Sequence, residues 1–362
     1  MRAAVCRELN QIAVEDIDDP TPSVGEVKIK IAAVGVCHTD LSMMAGHLPV
    51  QFPIVLGHEG AGVVTETGPG VTSLQPGDHV VCSIIGFCGQ CWYCSRGEFP
   101  LCDQTTFFTG KMLDGTTRLA KGAEPIASLH FQASFAEYAV VPERFVVKIR
   151  NDAPLDKMCG FACGVSTGMG AAMVRADVTP GSSVLVIGAG GVGCSTMLGA
   201  RVKGATTIIA VDIASSKLEN ALARGFATHA VNSVTDDLIT AARDLTGGRG
   251  VDFAFDAVGA PGTLESAIEA TRPGGNIVVI GRADHTIAVT TPTSHLLRHR
   301  TLTGTFGGSI TPKRHIPEFV DLYMQGRLDL DALFDKTYML DQIALAMDDL
   351  HHGRMTRGVV LL

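Results

Sequence analysis

SVLVIGAGGVG, residues 183–193, is the stretch on which the architecture turns. A short apolar strand runs straight into Gly188-Ala189-Gly190-Gly191-Val192-Gly193, a G-x-G-x-x-G turn that opens a helix. Gly188 permits the tight turn, Gly190 lets a pyrophosphate approach the backbone, and Gly193 lets helix pack on strand. The unpaired N–H groups at the helix start then face the phosphates. Such a motif alone is weak, and its surroundings give it weight. TIIAVD (207–212), HAVN (229–232), VDFAFDAVG (251–259) and NIVVIG (276–281) read as apolar strands, separated by helical segments such as SKLENALARG (216–225) and DLITAARDLTG (237–247). Alternating β and α with apolar strands predicts a doubly wound parallel sheet of the Rossmann kind, covered on both faces. TLTGTF (301–306) finishes or leaves that sheet. Asp212 closes the second strand, 19 residues beyond Gly193. An acid there accepts hydrogen bonds from ribose hydroxyls and repels a 2′-phosphate, favouring NAD over NADP. Lys217 either lies along the same ribose edge or is an exposed helix lysine.

The preceding 150 residues have another character. Short runs broken by Gly and Pro, such as EVKIKIAAVGV (26–36), GAGVVTETG (60–68) and FAEYAVV (135–141), predict a β-rich region. The tail carries two helical segments, IPEFVDLYMQG (316–326) and one near 341–352, then a closing strand, RGVVLL (357–362). No repeat or low-complexity linker interrupts the chain. Its 362 residues suit two domains, and 46% hydrophobic against 18% charged residues is enough to fill two cores. A net charge of −8 provides no basic footprint for nucleic acid. The start, MRAAVCRELNQIAVED, lacks a basic segment followed by an apolar run, so no secretory signal is expected. No run approaches the ~18 apolar residues of a membrane span. A reducing cytoplasm is the expected setting, where thiols bind metal more readily than they pair.

Four of the ten cysteines follow C-x2-C-x2-C-x7-C spacing: Cys88, Cys91, Cys94 and Cys102. Short C-x2-C steps aim successive sulfurs at one ion, and four thiolates close a tetrahedral zinc without an open position. The lobe is therefore expected to be structural. Three further segments place polar residues in apolar surroundings: GVCHTDLSMMAG (35–46), GHEGAG (57–62) and ACGVSTGMG (162–170). Cys37, His58 and Cys163 supply two sulfurs and one nitrogen, a known catalytic zinc set that leaves the fourth position open. Taken singly, each is equally a core thiol or a structural histidine, and distance along the chain does not unite them.

With the cysteine lobe and the Gly-rich turn, these motifs make the chain resemble the zinc-dependent medium-chain alcohol dehydrogenases, from GEVKIKI to RGVVLL. The resemblance implies a β-rich GroES-like catalytic domain (1–166 and 305–362) interrupted by the NAD-binding domain (167–304). It implies a catalytic zinc on Cys37, His58 and Cys163, a structural zinc on the four-cysteine lobe, and NAD as hydride acceptor. Thr39 matches the hydroxyl residue that first accepts the alcohol proton. Asp40 is expected to fix the tautomer of His58, and Glu59 to lie behind the metal and assist ligand exchange. His38 and Arg357 match contacts to the cofactor pyrophosphate. The segment GKMLDGTTRLAKGAEPI (110–126) resembles the longer loop of the dimeric branch, which favours a homodimer over a homotetramer.

Two departures bear on the activity. Ethanol-oxidising relatives carry a relay histidine five residues after the first zinc cysteine, where this chain has Ser42; His47 follows five residues later. Ile84 aligns with a pocket wall that is often aromatic, with Leu48, Phe306 and Phe107 or Phe108 completing the lining. A wider slot suggests medium-chain, allylic or aromatic primary alcohols. CHTD (37–40) and FGG (306–308) also resemble the thiol-dependent formaldehyde dehydrogenases, but Asp103-Gln104-Thr105-Thr106 stands where those carry an arginine. A zinc- and NAD-binding sensor without turnover is the alternative from another class; an intact catalytic ligand set argues against it.

Overall fold

The computed structural model describes residues 1–103, 109–282 and 286–362. The chain divides into two compact units. One comprises Met1–Cys163, Thr311–Gly326 and Leu330–Leu362, and the other Gly164–Ile310 with Arg327–Asp329. The sequence placed the boundaries at 166/167 and 304/305.

The first unit is built on Glu26–Gly35, a strand with nine of its ten residues buried or half-buried. It needs cover on both faces and partners on both edges. Gly60–Thr67 pairs antiparallel along one edge, with Val34 opposite Gly60. Tyr138–Pro142 pairs with residues 26–30, and Arg357–Leu361 with residues 33–35. The sheet continues outward through His79–Cys82 and Val146–Lys148 on one side and Phe334–Met339 on the other. A second, five-stranded sheet runs in the order Gln11–Asp16, Arg2–Glu8, Ile54–Val55, Glu124–Ser128, Leu119–Lys121. The 110–126 segment is therefore not all loop. Leu119–Lys121 and Glu124–Ser128 form a hairpin around Gly122, whose φ of 60° suits a tight two-residue turn. FAEYAVV starts its strand late, at Tyr138. The reason is that Phe135 bonds elsewhere, its N–H donating to the Leu56 carbonyl (3.1 Å) and its carbonyl accepting from Ala4 (2.8 Å).

In the second unit all neighbouring strands are parallel. Their order is His229–Asn232, Thr207–Asp212, Ser183–Ile187, Val251–Asp256, Thr271–Val279, Thr301–Gly304. Chain direction across the sheet reverses at Ser183–Ile187, creating a crevice at its carboxyl end. Thr301–Gly304 is one of the two edge strands, which settles the open reading of TLTGTF. Helices Gly191–Val202, Ser215–Ala223, Leu238–Asp244 and Thr263–Ala270 alternate with the strands. Among the described residues no helix is long and apolar enough to cross a membrane.

Candidate active site

Strand pairing in the first unit gathers the site at one end of Glu26–Gly35. Just past that strand, Cys37 caps helix His38–Met44. His58 and Glu59 immediately precede Gly60–Thr67, and the Gly35 N–H donates to the Glu59 carbonyl (3.0 Å). Arg357 opens the strand on the other edge, where the Val36 N–H donates to the Gly358 carbonyl (3.0 Å). Cys163 follows the short 3-10 turn Cys159–Ala162. Register in two strand pairs thus brings together residues far apart in sequence.

One donor atom each from Cys37, His58, Glu59 and Cys163 lies within 4.8 Å of all the others. His58 and Asp40 are buried. The Asp40 Oδ1 accepts from the His58 Nδ1–H (3.0 Å) and from the Gly57 N–H (2.9 Å), which leaves the lone pair of the ring on His58 Nε2. That nitrogen has no hydrogen-bond partner among the described residues. A buried, unsatisfied imidazole nitrogen beside two thiols costs stability unless an ion takes it up, so the donor set fits zinc. The electrostatics of Cys37 agree, since a metal is bound by the thiolate. The Cys163 hydrogen bond pulls Cys37 well below the usual thiol range, against burial and with help from His58. Burial opposes charge on His58, but the Asp40 carboxylate and Cys37 outweigh it and raise its pKa well above the usual value, so an ion takes Nε2 only by displacing its proton. Burial likewise raises the carboxyl pKa of Glu59, with Arg357 opposing.

Glu59 and Arg357 form a buried ion pair. A side chain at Gly35 would run into the Glu59 carboxylate, which explains glycine at that position. Arg357 was expected to reach the cofactor pyrophosphate. Its guanidinium pairs with Glu59, and its Nε has no partner among the described residues.

The sulfurs of Cys88, Cys91, Cys94 and Cys102 also lie within 4.8 Å of one another. A zinc–sulfur bond of about 2.3 Å gives a tetrahedral edge of about 3.8 Å. The Cys88–Cys94 and Cys91–Cys102 separations are both 3.9 Å. None of the ten cysteines is in a disulfide. The Cys88 sulfur accepts from the N–H groups of Gln90 (3.5 Å) and Cys91 (3.3 Å), which helps pull its pKa down to about 7. These four residues fit a closed, structural zinc.

In the second unit Gly188 has φ 97°, where L side chains are strained. A Cβ on Gly193 would strike the Gly188 carbonyl, so close packing of helix on strand requires glycine there. Gly190 is different. Its φ of −84° suits any residue, and a Cβ on it would have no neighbour within 4 Å. Neither conformation nor packing demands glycine, so the open space fits a ligand pressed against the backbone. Gly191 and Val192 begin the helix that follows. Asp212 Oδ2 accepts from the Ala189 N–H (2.8 Å) and Oδ1 from the Ala214 N–H (3.0 Å), tying the strand end to the Gly-rich turn. Lys217 is half-buried on the adjoining helix.

The remaining expected residues are placed as follows. His38 is exposed and Thr39 half-buried, in the first turn of helix His38–Met44. His38, Ser42 and His47 line one cavity of about 750 Å³. Ile84 is buried, its N–H bonded to the carbonyl of Ala162, the residue before Cys163 (3.0 Å). Leu48 lines another cavity, with Leu9 and Phe52. Phe306 belongs to the second unit and is exposed there. Phe107 and Phe108 lie outside the described residues. Sequence reasoning missed His130, whose buried ring lies 5.3 Å from that of His58. It sits in a run where His130, Phe131 and Ala133 have φ of 50°, 61° and 54°. Left-handed non-glycine residues carry strain, and no residue type in LHFQA announces it.

Comparisons with known proteins agree with this geometry. The alcohol dehydrogenase GroES-like domain matches residues 23–151 and the zinc-binding dehydrogenase domain residues 191–325. The chain is 37% identical to S-(hydroxymethyl)glutathione dehydrogenase of Paracoccus denitrificans, over 99% of each chain. It is 38% identical to NDMA-dependent alcohol dehydrogenase of Amycolatopsis methanolica, over 96% of this chain and 95% of that one. The solved structure of benzyl alcohol dehydrogenase from Acinetobacter calcoaceticus superposes with a TM-score of 0.93 at 37% identity, covering 100% of this chain and 99% of the other. The chain belongs to the zinc-dependent medium-chain alcohol dehydrogenases.

Proposed function

We propose that this protein oxidises primary alcohols, of medium-chain, allylic or aromatic type, to aldehydes with NAD as acceptor, and reduces the aldehydes in reverse. The observation that carries the reading is the convergence of Cys37, His58 and Cys163 around a buried nitrogen that has no protein partner among the described residues. The similarity to benzyl alcohol dehydrogenase supports the aromatic alcohol class.

Cys37, His58 and Cys163 would hold a catalytic zinc, the four-cysteine lobe a second, structural one, and Gly188–Gly193 with Asp212 the NAD. Bound there, zinc would supply the Lewis acidity that eases deprotonation of the alcohol, and NAD the hydride acceptor. Asp40 holds the His58 ring by Nδ1, so that Nε2 stays available as a donor. Glu59 neutralises Arg357 and stands ready as a further oxygen donor. Thr39 takes the alcohol proton on its hydroxyl. Ser42 follows three residues later on the same helix face and opens onto the cavity it shares with His38 and His47, a route for that proton to solvent. Lys217 and the Nε of Arg357 are left to contact the cofactor. Ile84 and Phe306 are kept as substrate-lining residues, and Leu48 as a more peripheral one. The 110–126 segment supports a homodimer, and ten cysteines without a disulfide among them support a reducing, cytoplasmic setting.

The Paracoccus relative keeps a second reading open, thiol-dependent oxidation of the formaldehyde adduct. A substrate panel decides. Zinc-loaded protein with NAD should form NADH with benzyl alcohol, hexanol and cinnamyl alcohol. Activity only with formaldehyde plus glutathione would replace the first reading by the second, and no turnover with any substrate would leave the sensor reading.

A further inference from the structure

The parallel sheet of the second unit has a second concave site, at the edge opposite its Gly-rich turn. Gly188–Gly193 and Asp212 lie at the carboxyl ends of their strands. At the amino ends of Val251–Asp256, Thr271–Val279 and Thr301–Gly304 lies a cavity of about 420 Å³. Arg243, Arg249, Arg272, Arg298 and Arg300 line it, with Glu269 as the acid among its lining residues. Arg243 lies 3.5 Å from Glu269, and Arg272 is paired with Asp252 (2.6 Å). Glu269 in the lining and Asp252 outside it therefore offset two of five guanidinium charges, and His295 also approaches Glu269 (3.4 Å). Arg300 spends its Nε on the Thr271 carbonyl (2.9 Å) and one terminal nitrogen on the His295 carbonyl (3.3 Å). Arg249 and Arg298 are exposed and have no ion pair among the described residues. Burial lowers the Arg300 pKa, and neighbouring Arg298 and Arg243 add to that, against Glu269. A chain of net charge −8 thus concentrates unneutralised positive charge in one pocket.

We propose that this cavity binds a polyanion of two or more linked phosphoryl groups. Guanidinium groups present forked N–H donors that match phosphate oxygens, often two at a time. Three guanidinium charges in excess of the carboxylates match a diphosphate better than a single phosphate, and a volume of about 420 Å³ has room for one. The chemistry is shared by free polyphosphate and by the phosphate tail of a nucleotide. Sitting at the opposite edge of the sheet, the site does not compete with the cofactor crevice, and its occupation is independent of the alcohol reaction.

Calorimetric titration of the zinc-loaded protein, saturated with NADH so that the cofactor crevice is filled, tests this. Inorganic pyrophosphate, orthophosphate and ADP are the probes, each at low and at about 0.3 M salt, where charge pairing is screened. Pyrophosphate should bind saturably, one per chain, more tightly than orthophosphate, and more weakly at high salt. Arg249→Gln combined with Arg298→Gln should weaken it at least tenfold while leaving the melting temperature in place, and Arg249→Gln alone should give an intermediate loss. Tighter binding of ADP than of pyrophosphate assigns the nucleotide source, and equal binding the free polyphosphate. Absence of saturable heat, or unaltered affinity in the double variant, overturns the proposal. So does a change of oligomeric state in that variant, which would assign these arginines to a second copy of the chain.

Discussion

Two glycines of one motif should respond to alanine with opposite signs. Gly190 has backbone angles open to any residue, and no atom lies within 4 Å of the point where its Cβ would stand. Removing its freedom in the unfolded chain stabilises by about 0.4–1 kcal/mol. For a unit of this size, about 2–4 °C per kcal/mol makes Gly190→Ala melt about 1–4 °C higher. The added methyl, however, occupies the space where a pyrophosphate meets the backbone. Loss of one charge-assisted hydrogen bond, about 1.5–3 kcal/mol, weakens NADH about ten- to a hundredfold. Gly193 faces the Gly188 carbonyl, and backbone does not yield as a side-chain tip does. Overpacking of about 1–3 kcal/mol puts Gly193→Ala about 2–12 °C below wild type before any cofactor is added. Melting curves of the cofactor-free proteins and fluorescence titration with NADH read both effects. A Gly190→Ala protein that melts lower, or that binds NADH like wild type, refutes the division of labour drawn between these glycines.

Arg357→Met strands Glu59 in the interior, since both partners are buried. Breaking such a pair from one side costs about 3–5 kcal/mol, seen as a lower urea midpoint, and a loss below about 1 kcal/mol would mean that Glu59 finds another partner. Glu15 is bonded to Arg7 (2.7 Å) and Lys121 (2.9 Å), which hold its pKa down to about 2. A depressed acid stabilises above its unfolded pKa and loses that contribution as pH falls through its folded one. Wild type should therefore out-melt Glu15→Gln at about pH 6, and the gap should close between about pH 4.5 and 2; a constant gap contradicts this. Cys94→Ser should remove the lobe zinc, measured as metal per chain. It should also change the emission anisotropy of Trp92, the single tryptophan, which lies under the Arg96 guanidinium (3.8 Å). Unchanged metal content would exclude Cys94 as a ligand.

How far the sequence could be read depended on the range of the interaction. Cys88, Cys91, Cys94 and Cys102 close on one another within a single loop, so their spacing alone implied the tetrahedron. Ser183–Gly193 was equally local, a strand, a turn and a helix in eleven residues. The hairpin at Leu119–Lys121 and Glu124–Ser128 was as local but went unread, because a short stretch containing Pro125 carries little strand signal. The strained run at His130–Ala133 is set by its surroundings, since neither Phe131 nor Ala133 is of a type enriched in a left-handed backbone.

The metal donors lie at the other extreme. Cys37, His58 and Cys163 meet only because Val34 stands opposite Gly60 and the residues after Gly35 continue toward the same end of the sheet. Slipping that register by one residue would turn the side chains of a whole strand to its other face. Nothing at positions 37 or 58 states the register. It is stated by the apolar residues of Glu26–Gly35, which are buried on both faces, and by Gly35, where any side chain would displace Glu59 from Arg357. The residues that bring the donors together are therefore mostly not donors. A family resemblance supplied the convergence before the structure did because what relatives share is the strand register, and the ligands follow from it.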